Sequence, residues 1–359
     1  MVSCVTSSCL WAQTAGSLPN DTNKSWTATT ERVSVDLLPS RTTETHMQAG
    51  NRTVDTQSVE QLGLEGHFEP YLDIEKESIQ VSATTVRTVV RTFDRDGVGR
   101  KTLTQVTEET TESQPRGGEK IVRTVSIPDQ DGHLPIVRRE VTDIQRTGPD
   151  VQVTNTAVFV SDGSGGLAPG MQIRERQTRT SDQTTSVQKT TLLLDGGDNW
   201  QVHELKERTI TDNGKDRTTE ERVSQPEYLG GKLSVVSDSI AKESETGPGE
   251  RQASDETYST DIPGSGPDGK LHLSQRVTTV SEPHADGRQV TQQQLEQLDP
   301  GGPDAGLQEM ARTVEIVSTD GSGKLQTRTV RARDGGGNLR VTFVETRTQA
   351  VKVDTAPAR

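Results

Sequence analysis

The sequence predicts an all-β protein: an extended antiparallel meander of two-strand repeats of about 34 residues, arranged as a single layer or a shallow sandwich. Three observations predict it. Hydrophobic residues are 28% of the 359 and aromatic residues 3%, too few for a thick core. The segments between turns are dense in Thr, Val and Ile, which lose χ1 freedom in a helix and suit a pleated, half-buried surface. Turn signals then recur at a long period, at Gly97, Gly132, Gly163, Gly196, Gly231, Gly269, Gly302 and Gly335. Low hydrophobicity with a net charge of −13 also marks disordered chains, but the Thr and Val content weighs against disorder.

Residues 1–15 read as the remnant of a secretory signal peptide whose basic start lies upstream. Small residues lead through Leu10-Trp11-Ala12 to a small-residue cleavage site. The stretch is too short and polar for a transmembrane span, so no transmembrane segment is expected. An extracytoplasmic location, secreted or periplasmic, follows from this leader. Both cysteines, Cys4 and Cys9, fall inside it, so no disulfide framework is expected.

Residues 16–83 read as an irregular, partly ordered lead-in. Trp26 to Leu38 suits a strand pair, and Thr56 to Leu62 suits a short helix. Residues 84–353 form the β-repeat region and 354–359 a tail. The repeat phrase is clearest in Val86 to Gly97 and Val122 to Gly132, each a run of alternating β-branched and charged residues that stops at Asp-Gly. Alternation with period two puts Val151, Val153, Asn155, Ala157 and Phe159 on one face. Gln289 to Leu298 tolerates a helix, but its neighbours decide for strand. Turns such as Asp96-Gly97, Asp131-Gly132, Asp268-Gly269 and Asp320-Gly321 put Gly where a positive φ is wanted, and short turns favour antiparallel neighbours.

Roughly sixteen strands result, the count of a porin-sized barrel. Three Trp, three Tyr and four Phe, with polar residues on both faces of many strands, argue against the apolar outward face such a barrel needs. The strand, Asp-x-x-Gly-x-Leu turn, strand grammar of residues 84–353 resembles the YD-type repeats of large bacterial wrapper and adhesion proteins. The Tyr-Asp pair that marks those repeats is absent, and no function is carried across.

Chemistry-bearing motifs are sparse. Gly264 to Leu271 nearly spells a phosphate-binding loop, but Leu271 stands where a Ser or Thr should hold magnesium, so it reads as a hairpin turn. Asp94 and Asp96, and Asp129 and Asp131, offer alternate carboxylates as at the start of a calcium loop, without the closing Glu. They are weak calcium candidates and otherwise Asp-stabilised turns. The six histidines lie singly, and Ser164, Ser265 and Ser322 complete no nucleophile motif. No catalytic residue and no cofactor is expected. No basic, aromatic-interleaved patch supports nucleic-acid binding. The expected function is a non-catalytic β-repeat protein providing a structural or binding surface, with protein or polysaccharide as partner. The alternative is a secreted glycan hydrolase with unidentified carboxylates.

Overall fold

The computed structural model describes residues 25–96, 98–227, 231–260, 270–298, 306–320 and 323–352. The signal-peptide reading of residues 1–15, the tail 354–359 and most of the Gly264 to Leu271 loop lie outside them. The first strands are β1 (Ser25–Ser34), β2 (Ser40–Ala49), β3 (Arg52–Leu62), β4 (Phe68–Gln80), β5 (Thr85–Arg95), β6 (Lys101–Gln114) and β7 (Gly118–Ser126). Next come β8 (Ile136–Arg146), β9 (Val151–Ser161), β10 (Leu167–Arg179), β11 (Thr184–Leu194), β12 (Trp200–Asp212), β13 (Asp216–Pro226) and β14 (Leu233–Gly247). The last are β15 (Glu250–Ser259), β16 (His272–Pro283), β17 (Gln289–Leu298), β18 (Leu307–Asp320), β19 (Gly323–Arg333) and β20 (Leu339–Lys352). Thus β1–β4 lie within the lead-in, and both Thr56 to Leu62 and Gln289 to Leu298 are strand.

Each strand pairs antiparallel with the next, as a meander should. The sheet is nevertheless neither an open layer nor a sandwich. β20 pairs with β1 from Ser25↔Lys352 to Ser34↔Phe343, and this closes a 20-stranded barrel. Closure is made by backbone hydrogen bonds, which need no aromatic residues, so composition gave no warning of it. The direct partners Ala28, Glu44, Gln57, Ile74, Thr92 and Gln105 cross six strands. That line starts near the beginning of β1 and ends at the turn-proximal part of β6. The strands therefore tilt against the barrel axis, as closure requires.

The period is sharper than the sequence suggested. One extra residue interrupts the pairing of each even strand from β4 to β14: Tyr71, Thr104, Val137, Gly170, His203 and Val236, in steps of 33. Ser274, Met310 and Thr342 do the same in β16, β18 and β20. A bulge breaks the ladder and increases local twist. Where the extra residue is Ser or Thr, its hydroxyl satisfies the facing carbonyl: Thr104 donates to Thr92 at 3.2 Å, Ser274 to Thr257 at 2.9 Å and Thr342 to Val330 at 3.1 Å. These nine bulges lie toward one end, here the bulge end, while a further irregularity at Thr246 in β14 lies beside the β14–β15 turn at the other. The chain enters β1 and leaves β20 at the opposite, terminal end.

Register assigns every strand residue to one of two faces. The first face holds Val90, Thr107 and Val125, and the second holds Val89, Val106 and Val122. Neither is a core. The buried apolar residues are Ala28, Val59 and Val158 on the first face and Val89, Val106 and Leu192 on the second. Cross-strand pairs take the place of a core, such as the hydroxyl pairs Thr45–Thr56 at 2.6 Å and Thr142–Thr156 at 2.8 Å.

Candidate functional site

Several turns at the bulge end share one construction. The amides of Asp96, Asp129, Asp195 and Asp334 donate to the carbonyls of Arg100, His133, Asn199 and Asn338, four residues on. The Asp carboxylate accepts from the amides two and four residues ahead: Asp129 Oδ1 from Asp131 at 3.0 Å and His133 at 2.8 Å, Asp195 Oδ1 from Gly197 and Asn199. The left-handed residue is the fourth, Gly99, Gly132 or Gly337, and at Asp198 a non-glycine takes it. These donors hold the carboxyls of Asp162, Asp195 and Asp334 below the usual carboxylate range. The Ser164 amide and hydroxyl lead at Asp162, the Asn199 amide at Asp195 and the Asn338 amide at Asp334.

This accounts for the calcium candidates. Asp94 is the last residue but one of β5 and lies on the first face, while Asp96 accepts from the amides of Val98 and Arg100. The structure does not bring these two together as ligands. Asp129 and Asp131 do converge, joined by His133, with one ligand atom of each within 4.8 Å. All three are exposed, and one Asp129 oxygen already serves two amides. Among the other candidates, His46 binds Asp55 at 2.6 Å and stacks on Trp26, His203 is a bulge residue, and Ser164 donates to Asp162. Ser265 and Ser322 lie outside the described residues.

Charge differs between the two ends. Described turns at the bulge end carry Asp36, Glu65, Asp96, Asp129, Asp131, Asp162, Asp195, Asp198, Glu227 and Asp334, against Arg100, Lys232 and Lys270. At the terminal end Arg116, Lys215 and Arg288 offset Asp150, Asp182 and Asp286. The barrel thus has one acidic mouth and one balanced mouth.

Both faces of the wall carry ion pairs. On the first are Arg123–Glu109 at 2.6 Å, Arg208–Glu221 and Arg347–Glu44 at 2.7 Å. On the second are Arg41–Glu60 at 2.6 Å, Arg95–Asp73 at 2.6 Å, Arg222–Asp238 at 3.1 Å and Arg276–Glu256 at 2.9 Å. Whichever face lines the interior, that interior is hydrophilic. Whichever face points outward is also charged. A lipid-facing wall needs an apolar band of about 25 Å. The nearest feature is a belt on the second face between bulges and turns, with Phe68, Phe93, Phe159, Trp200 and Tyr258 beside Leu192, Leu298 and Leu307. At about 3.3 Å per residue it is only about 7–10 Å deep. Among the described residues no helix is long and apolar enough to cross a membrane, which says nothing about strands.

No enclosed catalytic pocket accompanies the barrel among the described residues. The concavities are open grooves of 280 to 460 Å³ between neighbouring strands, one lined by Lys76, Glu109, Arg123, Arg138 and Glu140. Two functional expectations are corrected here. An open sheet displaying rows of residues as a structural or binding surface does not exist, because the β1–β20 ladder closes it around an interior. The glycan-hydrolase alternative goes with it, since the described sheet closes into a barrel whose wall carries open grooves in place of a pocket between strands of an open sheet. The expectation of no transmembrane segment concerns helices alone and has no bearing on whether such a wall meets a membrane.

No family model matches the chain, and no curated protein matches it. Solved structures similar to it include Pseudomonas aeruginosa OpdK with vanillate, at 10% identity and TM-score 0.48, covering 92% of this chain and 98% of that one. Another is the FrpB iron transporter from Neisseria meningitidis, at 7% identity and TM-score 0.49, covering 92% and 81%. Pseudomonas aeruginosa OccK5 (OpdH) is similar at 9% identity and TM-score 0.45, covering 92% and 97%. Likeness at this level carries no argument about this chain's activity.

Proposed function

We propose that the protein is a transport conduit, a hydrophilic barrel that passes small polar solutes along its axis outside the cytoplasm. The observation that carries this reading is the closed β1–β20 ladder around an interior lined by charged and hydroxyl side chains. Twenty strands about 4.8 Å apart, tilted as closure demands, give a perimeter of roughly 100–130 Å. That is wide enough to leave a water-filled lumen, as porins of slightly fewer strands do. The leader-like residues 1–15 support the location. The acidic mouth at the bulge end favours entry of neutral or cationic solutes over anions.

The test is access to the two faces. With Cys4 and Cys9 replaced by Ser, single cysteines are introduced by Thr154→Cys on the first face and Asn155→Cys on the second. Each is challenged with a small charged thiol reagent and with a bulky polymer-linked one. A conduit gives one face open to both reagents and one open to the small reagent alone. If one face reacts with neither, the barrel is collapsed or plugged and the reading fails.

A further inference from the structure

The bulge end carries a second feature, unrelated to conduction. Four turns that are neighbours around the rim each expose large apolar side chains. The β1–β2 turn shows Val35, Leu37 and Leu38, the β3–β4 turn Leu64, the β5–β6 turn Val98 and the β7–β8 turn Leu134. Leu64 is fully exposed, Val98 is 86% exposed and Leu37 66%. The turns Asp162–Gly166, Asp195–Asn199 and Asp334–Asn338, elsewhere on the same rim, are built from Asp, Gly, Ser and Asn and show no such tips. Among the described residues the apolar tips therefore form one continuous arc.

A carboxylate accompanies every tip. Asp36 precedes Leu37, Glu65 follows Leu64, Asp96 lies two residues before Val98, and Asp131 lies three before Leu134. Arg100 is the lone Lys or Arg among the described residues of these four turns. From this pairing we infer that the bulge end docks end-on against a zwitterionic lipid surface rich in ammonium headgroups. The tips stand on separate turns, a shape suited to a soft surface that each side chain can enter alone. Apolar side chains enter the boundary of headgroups and acyl chains, about 5–10 Å deep. The carboxylates beside them meet the ammonium groups at that depth, whereas anionic phosphates with no ammonium partner would be repelled. The aromatic belt sits directly behind this rim. The inference does not depend on conduction, because docking and flux are read separately.

The full-length protein is sedimented with vesicles of phosphatidylcholine and phosphatidylethanolamine, and with vesicles in which phosphatidylglycerol replaces part of the phosphatidylethanolamine. Binding is expected to the first and to be weaker to the second at low salt. The triple variant Leu37→Ser, Leu38→Ser, Leu64→Ser should lose about tenfold or more in vesicle affinity. Its circular dichroism and Tm should be unchanged, since all three side chains are exposed. Asp36→Asn with Glu65→Gln should narrow the difference between the two vesicle types. Absence of vesicle binding, undiminished binding by the triple variant, or equal or tighter binding of the unmodified protein to anionic vesicles overturns the inference. So does a dimer of the unmodified protein that the triple variant dissolves, because the arc would then be covered by a second copy of the chain.

Discussion

Arg347 on β20 reaches past β1 to Glu44 on β2, Nη2 to Oε2 at 2.7 Å. The pair spans the strand that closes the barrel and so ties three strands at the seam. Glu44 is 13% exposed and its Oε2 is shielded from water, yet the contact is not aligned as a hydrogen bond, so attraction between charges carries it. Glu44→Gln removes that attraction while keeping the shape. It is expected to lower stability by about 1–2 kcal/mol in urea unfolding. The pair Arg87–Glu108 at 3.3 Å, roughly half exposed on both sides, is the control. Its Glu108→Gln counterpart should cost about 0–0.5 kcal/mol. Equal costs at the two sites would show that the seam pair has no special part in closure.

Asp73 is the one acidic residue buried among the described strands, with Arg95 Nη2 at 2.6 Å and Lys101 Nζ at 3.6 Å. Burial works against its charge, but the hydrogen bonds from Arg95 and Ser58 and the nearby positive charges outweigh it, and its pKa is lowered. A carboxyl lowered on folding adds stability above its unfolded pKa of about 3.9, and that stability is lost as pH falls through the folded value. Unfolding midpoints should therefore fall between pH 4 and the folded pKa, and this fall should be shallower in Asp73→Asn. Arg95→Met leaves the carboxylate buried with a weaker partner. At pH 7 it should cost about 2–3 kcal/mol.

The turn aspartates titrate in the same direction for a different reason. Amide donors, not cations, lead the lowering at Asp162, Asp195 and Asp334. Their contribution is therefore insensitive to salt, whereas that of exposed ion pairs is screened. Asp195→Ala also frees Gln201, bound at 2.7 Å, and should lower the Tm by about 2 °C in both low and high salt. Asp195→Asn keeps an acceptor oxygen and should recover most of the loss.

Calcium should leave the protein unchanged. Calcium takes six to eight oxygen ligands, while Asp129, Asp131 and His133 offer two carboxylates and a nitrogen on one exposed turn. One of those oxygens is already hydrogen-bonded to two amides. Addition of about 1 mM calcium should not move the Tm or the chemical shifts of these residues. A saturable shift that Asp131→Asn abolishes would return the turn to the list of metal sites.

Much of the wall was legible in the sequence, because strand propensity and turn chemistry are local. Alternation in Val151 to Phe159 reads directly as β9, and Asp131-Gly132 reads as a turn with Gly in the left-handed region. The bulges were not legible. Tyr71, Thr104, Val137, Gly170, His203 and Val236 share no side-chain property, only their spacing, so nothing in any one of them marks an unpaired residue. Thr56 to Leu62 read as helix because Gln and Glu favour helices, and pairing on both sides overrode that preference. Closure lay furthest from view. It depends on β1 meeting β20 more than three hundred residues later, and neither strand differs in composition from its neighbours.

The constant step of 33 residues has a consequence for the size of the barrel. Deleting residues 129–161 joins Pro128 to Asp162 and removes β8 and β9 together. Strand β7 then faces β10 through a turn of the same type. Met171 takes the place of Arg138, one step away in the repeat and on the same face. Because side chains alternate with period two, removing a pair of strands at this step returns every later residue to its own face. The shortened chain keeps an even strand number and antiparallel closure. It should fold to a narrower barrel with a cooperative thermal transition and undiminished β signal per residue. Deleting only Asp129–Arg146 should fail, since β7 and β9 point the same way and a short turn cannot join parallel neighbours. Aggregation of both deletions would mean that closure depends on the full set of strands and not on the repeat.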